Sequence, residues 1–390
     1  MGPWHSAEAT IPKRVQLSFG ILILLMLTLV SVGGYVRLSG SGLSIPEWPQ
    51  VNGSYLPPLN EADWITVRTA YDLDQDRLIE LGRMRQPGLG SRGQLPEDLA
   101  EFKRMFLIEW SHRAIAALLG LVALLCLGQV LARPDLRRRA WRATTAIVLL
   151  IAFEILVGGI LVKSGTATHW LFFHLSMATL ILCTMLWSFF RTLGLKRVGT
   201  GRHERIRLLI SLSLLLILAQ IILGALVAGS RHNAPGLVVT WPLMLQQVVP
   251  PGLWNSQWTL AHNLLDNTLL HQWVHRWFAV LLLIQLGLLY RQAFKAKVPR
   301  PAADLLIASA LLFAAQIAFG LTNVFLAAPI AIALIHLETA LVIMALLTAC
   351  FYLLGKPREA VLPLGAKSHA VPERSCYQHP LGRLEETLDH

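Results

Sequence analysis

The chain has 390 residues, of which 54% are hydrophobic and only 15% are charged, and its mean hydropathy is +0.54. A soluble protein carries about 25% charged residues because its surface must be wetted. This composition excludes a soluble globular protein and indicates an integral membrane protein. The formal net charge of +11 is therefore interpreted by its position along the membrane, and no nucleic-acid partner is predicted from it.

The first apolar segment covers residues 15–36 and follows two basic residues, Lys13 and Arg14. This run is too long for a signal peptide, and no small-residue cleavage site closes it. Because about 20 apolar residues cross a bilayer as a helix, we predict a retained first span.

Seven further segments meet the same length criterion, so the predicted fold class is an all-α integral membrane protein with eight transmembrane helices. These segments cover residues 105–131, 143–163, 169–190, 208–228, 268–290, 303–325 and 330–354.

Basic residues concentrate in every second connection between the spans. Those connections contain Arg133, Arg137, Arg138, Arg139 and Arg142, then Arg191, Lys196, Arg197, Arg202, Arg205 and Arg207, then Arg291, Lys295, Lys297 and Arg300, with Lys356 and Arg358 after the last span. The alternate connections 163–168 and 326–329 carry one basic residue between them, Lys163, and 229–267 carries only Arg231. This asymmetry predicts that the basic loops and both termini are cytoplasmic.

The first outer loop, residues 38–104, is long and carries charges of both signs. A surface helix is expected over residues 61–84. The cysteines Cys126, Cys183 and Cys350 lie within spans, and Cys376 lies in the polar tail. Since no cysteine lies in an outer loop, we predict no disulfide and no thiol chemistry.

An internal repeat relates the two halves of the chain. Three short motifs recur at an offset of 162 or 163 residues: Glu109-Trp-Ser-His112-Arg113 with Gln272-Trp-Val-His275-Arg276, Glu154-Ile-Leu-Val-Gly158 with Gln316-Ile-Ala-Phe-Gly320, and His174-Leu with His336-Leu. We predict two four-helix bundles related as a parallel repeat, residues 15–190 and 208–354. The segments 1–14, 191–207 and 355–390 form the cytoplasmic terminus, linker and tail.

Four of the 13 histidines have apolar neighbours and recur in both halves: His112, His174, His275 and His336. Each is expected about two helical turns from the outer end of its span. Paired imidazoles facing each other inside a helical bundle are the ligands that a six-coordinate haem iron requires. The alternative for any one of them is an interhelical hydrogen bond.

Three other histidines are weaker candidates for metal or cofactor contacts. His271 and His275 share a helical face, which hints at a small metal site, but Ile108 stands at the position equivalent to His271. His169 and His262 are expected at the outer interface or over a cofactor pocket.

Charged residues beside the histidines offer further candidates. Arg113 and Arg276 could hold haem propionates or only snorkel and pair with neighbours. Glu109 shares a helical face with His112 and could act as a general base or stabilise positive charge, or only form an ion pair with Arg113. Glu154 is first interpreted as a buried interhelical hydrogen-bonding residue.

These motifs together resemble the haem A synthase family of bacteria and mitochondria. The resemblance covers residues 15–354 and is carried by Arg37-Leu-Ser-Gly-Ser-Gly-Leu-Ser, Pro46, Trp48-Pro49, Glu109-x-x-His112-Arg113, His174-Leu, His275-Arg276 and His336. It implies oxidation of the C8 methyl group of haem O to the formyl group of haem A for cytochrome oxidase, in a bacterial inner membrane.

The resemblance also implies the division of labour between the histidines. His275 and His336, with Arg276, would hold a resident haem b, while His112 and His174, with Arg113, would bracket the substrate haem O beside a catalytic Glu109. Some bacterial members carry a cysteine pair in the first outer loop, and this chain has none there. It therefore resembles the branch that lacks these cysteines.

Two other function classes remain open at this point. A non-enzymatic di-haem electron carrier would use the same four histidines, and a haem-free transporter would also be built as a duplicated bundle. The expected partners are the lipid bilayer, an unidentified electron acceptor, the farnesyltransferase that makes haem O, and a second copy of the chain as an open alternative.

Overall fold

The computed structural model describes residues 11–51, 53–81, 96–193, 195–229 and 238–356. Over these residues the chain is helical, with no named strand. Its helices are α1 (Lys13–Leu38), α2 (Glu61–Glu80), α3 (Leu99–Leu131), α4 (Pro134–Lys163), α5 (Thr168–Thr192), α6 (Glu204–Gly229), α7 (Leu260–Asp266), α8 (Thr268–Lys295), α9 (Arg300–Phe325) and α10 (Ile330–Leu353), with a 3-10 turn at Gly201–His203 before α6.

Eight of these helices are long and apolar enough to cross a membrane, which confirms the predicted number of spans. They are α1, α3, α4, α5, α6, α8, α9 and α10. Their lipid-facing surfaces carry many exposed leucines, as expected where lipid tails replace water around the helices.

The second span begins earlier than its apolar run predicts. Asp98 caps α3 by accepting a hydrogen bond from the Glu101 backbone N–H at 2.8 Å, and the Glu101 carboxylate accepts one from the Glu97 N–H at 2.9 Å. With Asp98 as its N-cap, the helix starts at Leu99, six residues before the predicted start at residue 105. Hydropathy locates the membrane-spanning part of the helix, whereas its true beginning depends on these polar caps.

The predicted surface helix of the first outer loop is α2, and its expected residues 82–84 lie outside the described residues. Its buried face packs Trp64 and Tyr71 against Phe102 and Phe106 of the α3 extension. The prolonged α3 therefore supports α2 beyond the span.

Helix packing joins neighbours in sequence and also crosses the predicted boundary between halves. In the first half α1 packs on α3 and α5, and α4 packs between α3 and α5; in the second half α6 packs on α8 and α10, and α9 packs on α10. Because α5 also packs on α6 and α10, the division into two separate bundles and the domain limits stay predictions.

The α1 helix separates the two sets of histidines. A Cβ added at Gly33 would lie 2.8 Å from His112 Nε2, and one at Gly34 would lie 2.7 Å from a methyl carbon of Leu334 on α10. One turn earlier, the Ser31 hydroxyl donates to the Glu338 carboxylate of α10 at 2.7 Å. At this point α1 lies between His112 and α10, and its adjacent glycines let both neighbours approach its backbone closely.

Three of the four cysteines, Cys126, Cys183 and Cys350, are free and lie in α3, α5 and α10. Cys376 lies outside the described residues.

Gly159 of α4 leaves room for Trp48 of the first outer loop, because a Cβ at this position would lie 2.8 Å from the indole ring. We expect Gly159→Val to destabilise the protein by about 1–3 kcal/mol through overpacking, measured as a lower unfolding temperature in detergent. Gly120→Val is the matched control, since nothing lies within 4 Å of a Cβ at Gly120 of α3. Equal losses in both variants would show that the indole contact does not hold the loop.

Candidate functional site

Each of the four candidate ligand histidines faces a glycine on a neighbouring helix. A Cβ added to the glycine would lie 2.8–3.2 Å from the nearest ring atom at three of the four positions, where the imidazole would have to move, and 3.4 Å away at Gly158, an ordinary contact. The pairs are Gly33 with His112, Gly158 with His174, Gly224 with His275, and Gly320 with His336.

Three of these glycines belong to one sequence pattern. An acid or amide stands one turn before the glycine, on the same helical face, and reaches the same histidine ring: Glu154-Ile-Leu-Val-Gly158 in α4, Gln220-Ile-Ile-Leu-Gly224 in α6 and Gln316-Ile-Ala-Phe-Gly320 in α9. Sequence reasoning found the first and third segments as a repeat but missed the second. The shared Ile and Gly spacing was the signal that could have found it.

The first histidine pair has the spacing of two ligands on one metal. The ring centres of His112 and His174 are 6.4 Å apart, with an angle of 63° between their planes. Since imidazole nitrogens bind metals such as zinc at about 2 Å, two rings on opposite sides of one ion have centres about 6 Å apart. The first pair therefore fits an iron bound between its rings.

The second histidine pair also fits a metal-bound group. His275 lies in α8 and His336 in α10. Among the described residues, their buried Nδ1 atoms have no hydrogen-bond partner, and Gln220 Nε2 and Gln316 Nε2 lie 3.5 Å and 3.4 Å from the respective Nε2 atoms. The described residues contain no cluster of three or more His, Cys, Asp or Glu side chains that could hold a metal ion. Two-histidine sites suit haem, because the porphyrin supplies the remaining ligands.

His271 does not join such a site. Its Nε2 atom lies 2.8 Å from the Leu264 carbonyl oxygen, at the short helix α7. The i,i+4 spacing with His275 therefore reflects the packing of α7 on α8. His262 lies beside Trp258, with ring centres 4.2 Å apart, and His169 lies beside Trp170.

Glu109 is buried, with 3% of its surface exposed, and its carboxylate accepts three hydrogen bonds. The donors are the Ser44 hydroxyl at 2.9 Å, the Ile45 backbone N–H at 3.1 Å and the Arg113 guanidinium at 2.8 Å. Both oxygens are thus engaged, and the carboxylate holds the outer loop against α3. The ion pair with Arg113, one of the two alternatives from the sequence, is present.

Arg113 also holds the outer loop. Its two terminal nitrogens donate to the carbonyl oxygens of Glu47 at 2.6 Å and Ile45 at 2.8 Å. A guanidinium has five N–H donors, so these contacts leave donors for a further anion.

The second half repeats these contacts with an amide in place of the acid. The Gln272 carbonyl oxygen accepts from the Val238 N–H at 2.9 Å, and Arg276 donates to the carbonyl oxygens of Val238 and Thr240. The indole N–H groups make equivalent contacts in the two halves: Trp110 donates to the Tyr55 carbonyl and Trp273 to the Val248 carbonyl. Sequence reasoning did not find this docking, although Trp48-Pro49 and Trp241-Pro242 mark the same place in each loop.

The second intramembrane acid of the first half contacts a candidate ligand directly. Glu154 Oε1 lies 2.9 Å from His174 Nδ1, and the Glu154 side chain is 12% exposed. This contact joins α4 to α5. The sequence alone did not indicate that the partner of Glu154 is a candidate iron ligand.

The fold and the site define a multi-pass helical membrane protein with paired, half-buried histidines between its spans. Residues 17–348 match the family described as "Cytochrome oxidase assembly protein", COX15-CtaA. The chain belongs to this family, which confirms the resemblance seen in the sequence.

Curated relatives agree with this assignment over nearly their whole length. The chain is 33% identical to "Heme A synthase" of Methylorubrum extorquens strain PA1, over 89% of this chain and 88% of the relative. It is 31% identical to "Heme A synthase" of Bartonella tribocorum, with coverages of 86% and 91%, and 35% identical to that of Methylobacterium sp. strain 4-46, with coverages of 90% and 94%.

Arg113 and Arg276 each fix the outer loop of their own half. We expect Arg113→Met to speed amide exchange in residues 45–55 by about 10-fold or more, because a hydrogen bond to a charged group contributes about 1.5–3 kcal/mol. Arg276→Met should act only on residues 238–248. Hydrogen-exchange mass spectrometry measures both, with Arg104→Met as the control, since that exposed side chain forms its ion pair with Glu101 of its own helix. Unchanged exchange in Arg113→Met would contradict the docking role.

Proposed function

We propose that this chain is a haem A synthase that binds haem O within the membrane and oxidises its C8 methyl group to an alcohol and then to a formyl group. The family match and the names of the relatives support this activity. The structural observation that carries it is the His112–His174 pair, with its 6.4 Å spacing, on the same half of the protein as the buried carboxylate of Glu109.

We assign the substrate haem to His112 and His174 and a resident haem b to His275 and His336. The difference between Glu109 and Gln272 supports this order. Both side chains hold their loops through equivalent contacts, so the fold does not require a charge at either position. A carboxylate in only one half therefore favours chemistry in that half and electron relay in the other.

Haem b, when bound, would supply a one-electron carrier between the substrate and an external acceptor. The protein contributes the surroundings of the reacting methyl group. Glu109 provides a fixed negative charge one helical turn from His112, with its orientation set by Ser44, Ile45 and Arg113. Such a preorganised charge stabilises the positive charge that develops as the methyl group loses electrons, and the carboxylate can receive a proton as water adds.

The remaining donors of Arg113 and Arg276 are placed to meet haem propionates. Both guanidiniums follow a ligand histidine directly in sequence and lie under the outer loops. A propionate there would complete the hydrogen bonding of each guanidinium and would hold the porphyrin edge beneath the loop.

The distribution of basic residues supports both termini on the cytoplasmic side of a bacterial inner membrane, with the haem sites toward the outer side. The enzyme would take haem O from the farnesyltransferase that makes it and pass electrons to a separate acceptor.

Pigment analysis tests the activity directly. We expect the purified protein to carry haem b alone when the cell makes no haem O, and haem b with haem A and a hydroxylated haem when haem O is supplied, as identified by mass spectrometry of the extract. Unchanged haem b under both conditions would indicate a di-haem electron carrier. A colourless protein would favour a transporter.

Histidine variants separate the two sites in the same assay. His275→Ala and His336→Ala should remove haem b, whereas His112→Ala and His174→Ala should keep haem b and abolish haem A. Loss of haem b from the latter pair alone would reverse the assignment.

Glu109→Gln copies the second half, where Gln272 holds the equivalent loop. We therefore expect the variant to fold and to bind both haems, while conversion of haem O falls by about 100-fold or more, as when one preorganised electrostatic group is removed from an active site. Product analysis after a fixed time measures the loss. Full conversion by Glu109→Gln would exclude a catalytic role for this carboxylate.

A further inference from the structure

Glu154 is the one carboxylate among the three polar residues that stand one turn before a histidine-facing glycine in the described helices. The other two are the amides Gln220 and Gln316. Since the three positions are otherwise alike in spacing and in their glycine contact, the fold itself does not demand an acid at any of them.

The carboxylate also lies in an unfavourable place for a charge. Glu154 is nine residues before the end of α4 at Lys163, which places it about 13 Å inside the helix end. Ionisable side chains at such depth are costly and mark functional positions by default. Its neighbours Phe153, Ile155 and Leu156 face outward, whereas Glu154 and Gly158 both face His174.

We infer that Glu154 is a positioning residue that makes His174 a more electron-donating iron ligand than His336. Its Oε1 atom lies 2.9 Å from His174 Nδ1, close enough for the carboxylate to hold the ring proton on Nδ1 and leave Nε2 for the iron. A carboxylate on the far nitrogen of a ligand histidine raises the basicity of that ligand. His336 lacks a carboxylate at the equivalent position, where the neutral amide of Gln316 places its Nε2 atom 3.4 Å from His336 Nε2.

This inference rests on the proposed function, because it needs iron at the first site. A more basic ligand stabilises the oxidised iron, so the first haem would have the lower reduction potential. Electrons withdrawn at the substrate would then pass downhill to the second site. Glu154 thus sets the direction of electron transfer between the two halves, without touching the reacting methyl group.

The test is a redox titration of the full-length protein carrying both haems, followed by optical and electron paramagnetic resonance spectra. We expect Glu154→Gln to shift the midpoint potential of the first haem upward, to change the resonance spectrum of that haem only, and to weaken its retention by about 10-fold, as is typical when a ligand's supporting partner is replaced. Glu154→Ala should give the larger shift, because it removes the acceptor as well as the charge.

Glu338→Gln is the matched control. Glu338 is another half-buried acid within a span, and it hydrogen-bonds Ser31 rather than a histidine, so this variant should leave the first haem's potential unchanged. The spectrum of the second haem reports folding in every variant.

The possible failures are distinct. An unchanged potential and spectrum in Glu154→Gln, with both haems bound, would overturn the inference and leave Glu154 as an interhelical contact. If the unaltered protein shows no haem signal that His174→Ala removes, the proposed function fails and the inference fails with it.

Discussion

The arrangement depends on one constraint: a polar group between membrane-spanning helices must find its partner inside the protein, because lipid offers none. Glu109 meets three donors, and Arg113 meets Glu109 and two loop carbonyls. These contacts tie the outer loop to α3. Since His112 stands three residues after Glu109 on the same helix, the loop and the histidine are positioned together, and neither can shift without breaking buried hydrogen bonds.

The glycines apply the complementary constraint. A glycine opposite each imidazole lets neighbouring helix backbones approach the ring closely, as small residues do at helix contacts in membranes. Small residues also allow close packing where α1 lies between His112 and α10, since Gly33 faces His112 and Gly34 faces Leu334.

Much of this was predictable from the sequence, for identifiable reasons. Apolar length gave the eight spans, and repetition selected the four histidines, because both signals are local or periodic. The loop docking was not predictable, since hydrogen bonds from Arg113 to Glu47 and Ile45 join residues more than 60 positions apart without a periodic signature. The glycine contacts were missed for a similar reason: spacing identifies a helical face, but only packing decides which neighbour it meets.

The two halves share a scaffold and differ in charge. Arg113 faces the carboxylate of Glu109, whereas Arg276 faces the neutral amide of Gln272; His174 faces the carboxylate of Glu154, whereas His336 faces the amide of Gln316. At each of these two equivalent positions, the first half has an acid where the second half has a neutral amide. Negative charge in a medium of low dielectric favours oxidised, more positive iron. If both histidine pairs hold haem as proposed, both differences would favour electron transfer in the same direction, from the first half to the second.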